Sequence, residues 1–199
     1  MRVVLADYGA GNLRSVCSGF ERVGASTAVS SDPKEVCDAP LAVIAGVGNA
    51  ASAARVLDEG GLGDALRERV AAGRPVFGIC LGMQLLFEES AEGGCGLGLL
   101  HGRVERLRAA RVPHMGWNAL RLTAPTSLLD GLDGADVYFA HSFACEPAEP
   151  VHVAEVEHGG PVVAAVERGA LAGVQFHPER SGSAGARVLA NAIAWSRSA

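Results

Sequence analysis

Pro75-Val76-Phe77-Gly78-Ile79-Cys80-Leu81-Gly82, followed by Met83-Gln84-Leu85-Leu86-Phe87-Glu88, is the stretch that decides how this chain is read. Residues 75–79 form a short apolar run of strand type, and residues 83–88 are helix formers. Between them stands Gly-x-Cys-x-Gly, the pattern of a nucleophile elbow with cysteine in the nucleophile's place. Glycines at 78 and 82 allow a sharp turn and a close approach of backbones, while the residue between them is held in a strained conformation that lifts its side chain above the sheet. A thiol there feels the positive end of the following helix, which favours thiolate, and the Leu81 N–H points toward any oxyanion formed nearby. A buried packing role is the common fate of a cysteine. Here, though, glycines flank it at a junction where packing alone would place Leu or Val. Cys80 is the candidate nucleophile.

Working outward toward the N-terminus, residues 3–6, 27–30 and 41–45 read as further strands. A helix is expected over residues 13–22 and another over about 53–72, closed by Gly73. Continuous apolar strands separated by helices imply a parallel sheet covered on both faces. Beyond Glu92 the rhythm changes: strand-like runs recur at 102–107, 118–122, 136–143, 151–158, 161–167 and 171–176. Gly159-Gly160 marks a hairpin between two of them. A last helix is expected over about 184–197. The fold class is therefore α/β, a doubly wound and mostly parallel sheet with antiparallel additions in the C-terminal half. With no internal repeat, linker or low-complexity tract, residues 1–199 are expected to form one domain.

Composition narrows the function classes. Hydrophobic residues at 49% and charged residues at 20% give a globular balance. A net charge of -5 without a basic cluster argues against nucleic acid as a partner. No apolar run reaches the roughly 18 residues of a membrane span, and Asp7 comes too early for a signal peptide. Cys17, Cys37, Cys80, Cys95 and Cys145 are odd in number and lack close pairs, which fits a reducing, cytoplasmic setting. The four besides Cys80 read as packing residues.

A cysteine nucleophile needs a base, and six histidines compete for the role. In Val174-Gln175-Phe176-His177-Pro178-Glu179 a strand delivers His177 to a sheet edge and Pro178 breaks the ladder just after it. Glu179 can fold back to fix the imidazole's tautomer and stabilise its charged form. His158 reads as a turn residue and His152 as a solvent-facing strand residue. No Cys/His cluster has the spacing of a zinc site, so no metal and no cofactor is expected. Gly46-Val47-Gly48 ends the strand beside the elbow, and the N–H groups of Val47 and Gly48 are candidates for the second oxyanion donor. Gly9-Ala10-Gly11-Asn12 falls short of a dinucleotide fingerprint, because Arg14 stands where its third glycine would be.

Cys80 in Gly78-Ile79-Cys80-Leu81-Gly82-Met83-Gln84, together with His177-Pro178-Glu179, resembles the class I (triad) glutamine amidotransferases. Residues 7–16, Gly46-Val47-Gly48, Val112-Pro113-His114-Met115-Gly116-Trp117-Asn118, residues 138–143 and residues 173–182 resemble, within them, the glutaminase subunits of imidazole glycerol phosphate synthase. The resemblance implies a flavodoxin-like glutaminase domain acting on L-glutamine. It makes Cys80, His177 and Glu179 the triad, matches Gln84 to the substrate-holding glutamine, and matches His141, Ser142 and Phe143 to the substrate-binding strand. It also implies a partner, a cyclase subunit with a (β/α)8 barrel that receives the ammonia. Asn12, Arg14, Trp117, Asn118 and Arg180 match positions facing that partner. A barrel needs about 250 residues, so it is expected on a separate chain.

Four positions depart from the family pattern. Ala45 stands where a proline commonly precedes Gly-Val-Gly, Asn49 begins an altered pair after it, Phe143 replaces a frequent tyrosine, and Arg180 a common lysine. Without the proline the oxyanion turn loses a restraint, and slow hydrolysis by the chain alone is expected. The alternatives are a sister glutaminase of anthranilate or pyridoxal phosphate synthase type, and a non-catalytic regulatory partner with the same fold. A cysteine hydrolase of α/β-hydrolase type fits less well, since its acid precedes its histidine in chain order.

Overall fold

The computed structural model describes residues 1–198. The first half runs β1 (Arg2–Ala6), α1 (Leu13–Arg22), β2 (Ser26–Ser30), α2 (Pro33–Asp38), β3 (Leu41–Gly46), α3 (Ala50–Glu59), α4 (Leu62–Ala71), β4 (Val76–Cys80) and a one-turn α5 (Leu81–Gln84). Strands then dominate: β5 (Phe87–Ser90), β6 (Leu100–Arg106), β7 (His114–Ala119), β8 (Arg121–Leu122), β9 (Asp136–His141), β10 (Phe143–Pro147), β11 (His152–Glu157), β12 (Pro161–Arg168) and β13 (Leu171–Val174). A single 3-10 turn, Pro178–Arg180, leads into α6 (Gly182–Trp195).

Eight strands form the main sheet in the order β2-β1-β3-β4-β13-β12-β11-β8. The first five are parallel and the last three join antiparallel, as the sequence pattern implies. Every residue of β3 and β4 is buried, which is why these strands read as unbroken apolar runs. Alternate residues of β1 feed two cores. Val3 and Leu5 pack with Phe20 of α1 and Leu189 of α6, whereas Val4 packs with Leu57 of α3 and Leu66 of α4. Each such leucine or phenylalanine, once buried, contributes roughly 1.5–3 kcal/mol.

The structure corrects several expected elements. The helix expected over 53–72 is two helices. Gly60 caps α3 and Gly61 takes φ +73°, so the axis turns and the apolar pattern restarts at Leu62. The helical run expected over 83–88 stops after one turn, because Phe87 enters β5 and pairs with β6 in a three-stranded sheet. β7 begins at His114, not at 118, and pairs with β9 alone. The run 136–143 is divided at Ser142: β9 pairs with β7, and β10 belongs to the sheet with β6. α2 begins on a start signal of its own, Asp32 capping the Lys34 N–H with Pro33 in the first turn.

Candidate active site

Three adjacent strands, β3, β4 and β13, end at one place, and their C-terminal ends carry the candidate chemistry. Gly46 lies opposite Cys80 in the β3–β4 register, while Gly173 and Val174 pair with Gly78 and Ile79. Cys80 takes φ +54°, the one non-glycine with positive φ among the described residues. A side chain held there costs about 1–3 kcal/mol. Glycine is required on both sides. A Cβ on Gly78 would lie 2.7 Å from the Gly82 backbone, and one on Gly82 would run into the Ile44 carbonyl. The elbow is thus pressed against β3, and the sulfur stands at the sheet end with Cys80 only 6% exposed.

His177 follows β13 by three residues and is buried. Its N–H donates to the Tyr138 carbonyl (2.8 Å), and its own carbonyl accepts from the Ser181 hydroxyl (2.7 Å). Its Nδ1 lies 2.9 Å from Glu179 Oε1, leaving Nε2 for the Cys80 sulfur. Burial alone would lower its pKa. Hydrogen bonding to Cys80 and to Glu179, with the pull of their charges, overrides burial and holds the group at about 10. The second Glu179 oxygen is buried without a hydrogen-bond partner. The helix-dipole activation expected for Cys80 is corrected: α5 spans one turn and sums few peptide dipoles. The imidazole of His177, held charged by its two partners, lies beside the sulfur.

A cavity of about 310 Å³ opens in front of Cys80, bounded by Val47 and Gly48 on one side and by Gln84, His141, Ser142 and Phe143 on the other. That is the size of a small-molecule pocket. The oxyanion candidates Val47, Gly48 and Leu81 all border it. Gly48 has φ +108°, open to glycine and costly to other residues. Gln84 is buried with its amide NH2 fully committed, donating to the Phe143 carbonyl (2.9 Å) and to Gln175 Oε1 (3.0 Å). Only its carbonyl remains to meet a ligand. The imidazole of His141 is likewise committed on both nitrogens, to Phe143 O (2.8 Å) and His114 Nδ1 (3.0 Å), so only backbone at His141 is left for substrate.

Of the residues expected to face a partner, Asn12, Arg14, Trp117 and Arg180 are exposed. Asn12 also caps α1, accepting from the Ser15 N–H. Trp117 is 57% exposed and meets Tyr138 edge-on, with the Arg180 guanidinium 5.2 Å above the tyrosine ring. Asn118 is corrected: β7 alternates, and Asn118 turns inward to donate to the Glu157 carbonyl. Two residues that sequence reasoning passed over also belong here. Tyr8 is buried, donates to the Ala45 carbonyl (3.1 Å), and fills the space beside Gly46 that a Cβ would need. Gln175 is fully buried with Nε2 3.8 Å from the Cys80 sulfur. The signal for Gln175 was present, since a polar residue two before His177 on an apolar strand shares its face. Tyr8 gave none. His158, read as a turn residue, stacks on His114 at 4.1 Å. Cys95, read as packing, is exposed. Among the described residues no three His, Cys, Asp or Glu side chains gather as a metal site would require.

Geometry of this kind defines enzymes that open an acyl bond through a cysteine thioester, with histidine as acid and base. The family model described as Glutamine amidotransferase class-I matches residues 4–195. A relative from Geobacillus kaustophilus, named imidazole glycerol phosphate synthase subunit HisH, is 45% identical over 95% of this chain and 94% of its own. One of the same name from Moorella thermoacetica is 45% identical over 95% of this chain and 92% of its own. A solved structure described as a glutamine amidotransferase superposes with TM-score 0.80 over 98% of both chains at 20% identity, which shows a common fold. The chain belongs to the class-I glutamine amidotransferases and, within them, to the family of imidazole glycerol phosphate synthase subunit HisH.

Proposed function

We propose that this chain is the glutaminase subunit of imidazole glycerol phosphate synthase in histidine biosynthesis, a single cytoplasmic domain that hydrolyses glutamine and hands on ammonia. The observation that carries the reading is the junction of Cys80, His177 and Glu179 at the ends of β4 and β13. The Cys80 thiolate attacks the side-chain amide carbon of glutamine, and the carbonyl oxygen becomes an oxyanion facing the Leu81 N–H and an N–H of Val47 or Gly48. His177, charged at rest, gives its proton to the leaving nitrogen, so ammonia departs and a thioester remains. Neutral His177 then takes a proton from water, the hydroxide opens the thioester, and glutamate and the Cys80 thiolate are released. Glu179 keeps the tautomer that aims Nε2 at the sulfur.

The ammonia passes to a cyclase subunit with a (β/α)8 barrel, whose products are imidazole glycerol phosphate and an aminoimidazole carboxamide ribotide. Enclosed transfer has a chemical reason, since ammonia in water near neutral pH is mostly protonated and no longer a nucleophile. Val47 and Met115 are exposed and line the pocket, Trp117 is exposed on the same face of β7 as Met115, and Arg14 and Arg180 add exposed charge. That mixture of apolar and Arg anchors suits a protein partner.

Glutamate release by the purified chain, alone and with the barrel plus its ribulosyl substrate, tests the proposal, with Cys80→Ala as control. Stimulation by the barrel that vanishes in Cys80→Ala is the expected result. Cys80-dependent hydrolysis indifferent to this barrel would move the chain to a sister synthase. No hydrolysis under any condition would make it a non-catalytic partner.

A further inference from the structure

β7 alternates between two surroundings. Met115, Trp117 and Ala119 point outward and are exposed, whereas His114, Gly116 and Asn118 point inward. The inward polar side chains form a line that ends at the glutamine pocket, and its direction follows from its last member. The Phe143 carbonyl can only accept, so His141 Nδ1, 2.8 Å away, carries the hydrogen. His141 Nε2 is then an acceptor, and His114 Nδ1, 3.0 Å from it, donates. His114 Nε2 is in turn an acceptor, facing the Asn118 amide nitrogen at 3.3 Å. Asn118 gives its other hydrogen to the Glu157 carbonyl (2.9 Å).

Each ring therefore has one tautomer and no charge. Burial supports this by pushing both histidines down to about 4, with like-charge repulsion from His158 adding to the effect. His114 is also gripped between Phe139 at 4.5 Å and His158 at 4.1 Å, which leaves its ring little freedom to turn. From Phe143 the line continues. The same carbonyl accepts from Gln84, whose second N–H goes to Gln175, whose amide stands 3.8 Å from the Cys80 sulfur. A strand whose outer face is exposed beside the pocket mouth is thus joined to the nucleophile by bonds that leave no slack at any member.

We propose that His114 and His141 are positioning residues for glutamine. They set the Phe143 carbonyl and the Gln84 amide, and Asn118 is where the seating of β7 enters the line. The proposal rests on glutamine being the substrate. Loss of a donor along the line frees the Phe143 carbonyl and lets the Gln84 amide rotate, which weakens substrate holding more than it slows bond breaking. Aromatic packing alone would make a different prediction, because any flat ring at 114 would then serve.

The test uses the full chain with its barrel partner. His114→Phe keeps the ring between Phe139 and His158 and deletes both hydrogen bonds. It should raise KM for glutamine about tenfold with a smaller change in kcat. His114→Gln keeps a donor and an acceptor and should recover part of the loss. Asn118→Leu should also raise KM, and the double variant with His114→Phe should be no worse than His114→Phe alone, as for members of one chain. An unchanged KM in His114→Phe, or additive losses in the double variant, would overturn the proposal. A second readout does not depend on turnover, namely imidazole nitrogen resonances in the Cys80→Ala chain. His141 should show the Nδ1–H tautomer, and Asn118→Leu should shift its resonances across the intervening His114. The other tautomer, or resonances unmoved by Asn118→Leu, would overturn the line even if glutamine proved not to be the substrate.

Discussion

Cys80 is held in a conformation that the sequence around it makes affordable. Its φ of +54° is tolerated because glycines at 78 and 82 let the turn press into β3, and because β3 and β13 fix β4 from both sides. As the proposed nucleophile, Cys80→Ala should abolish glutamate release, by at least about a thousandfold. Glu179→Gln should cost roughly 10²–10⁴ in kcat while leaving the fold intact, by analogy with loss of a triad acid. Steady-state kinetics on the complex reads both. The charge on His177 gives a pH prediction. Its pKa is raised from the ordinary 6.5 to about 10, so the stability its charged form contributes is complete below about 6.5 and is lost as pH rises through 10. The difference in urea midpoint between the wild type and His177→Gln should shrink across that window, and a widening difference would contradict the sign. Tyr8 completes the residue scale. Its hydroxyl braces Ala45 and Gly46, where the family's usual proline is missing, and the hydroxyl stays neutral because burial pushes its pKa up. Tyr8→Phe should lower stability by about 0.5–1.5 kcal/mol and lower kcat without a matching change in KM. Chemical denaturation and kinetics together would show it.

At the scale of elements, the strands β3, β4 and β13 do the aligning, since each delivers one part of the site to a common sheet edge. Gly82→Ala should be destabilising by more than about 1–3 kcal/mol, the usual range for overpacking, since its Cβ would meet rigid backbone at Ile44. A urea midpoint close to wild type would show that β3 can yield. Those strands were also the most legible in sequence. Residues buried on both faces leave an unbroken apolar signature, and the glycine–cysteine–glycine spacing has few other physical uses. What remained hidden has physical causes too. The break between α3 and α4 hid because helical apolar spacing occurs on both sides of Gly60-Gly61, in Ala53, Ala54 and Leu57 and again in Leu62, Ala65 and Leu66. The division of the run 136–143 hid because β9 and β10 are both ordinary strand sequence, and only their partners, β7 and β6, separate them. Asn118 was expected to face outward from its place beside Trp117, whereas the alternation of β7 turns its side chain toward the Glu157 carbonyl.

At the scale of the molecule, the doubly wound sheet places the pocket at its C-terminal edge, the usual location of sites on such sheets. Val47 and Met115, both exposed, line that pocket, and Trp117 is exposed on the same face of β7 as Met115. In the proposed assembly catalysis and docking would share one surface, and a partner seated there would cover the pocket. Trp117→Ala should weaken binding of the barrel by about 2 kcal/mol or more, the cost typical of a central aromatic anchor, read by titration calorimetry. The central claim is that glutamine is opened by a covalent step at Cys80. The most direct measurement is the mass of the chain after acid quenching of the working complex with glutamine, followed by peptide mapping. A glutamyl group on the peptide containing Cys80 is predicted. Steady glutamate release with no adduct, or an adduct on Cys95 or another cysteine, would contradict it.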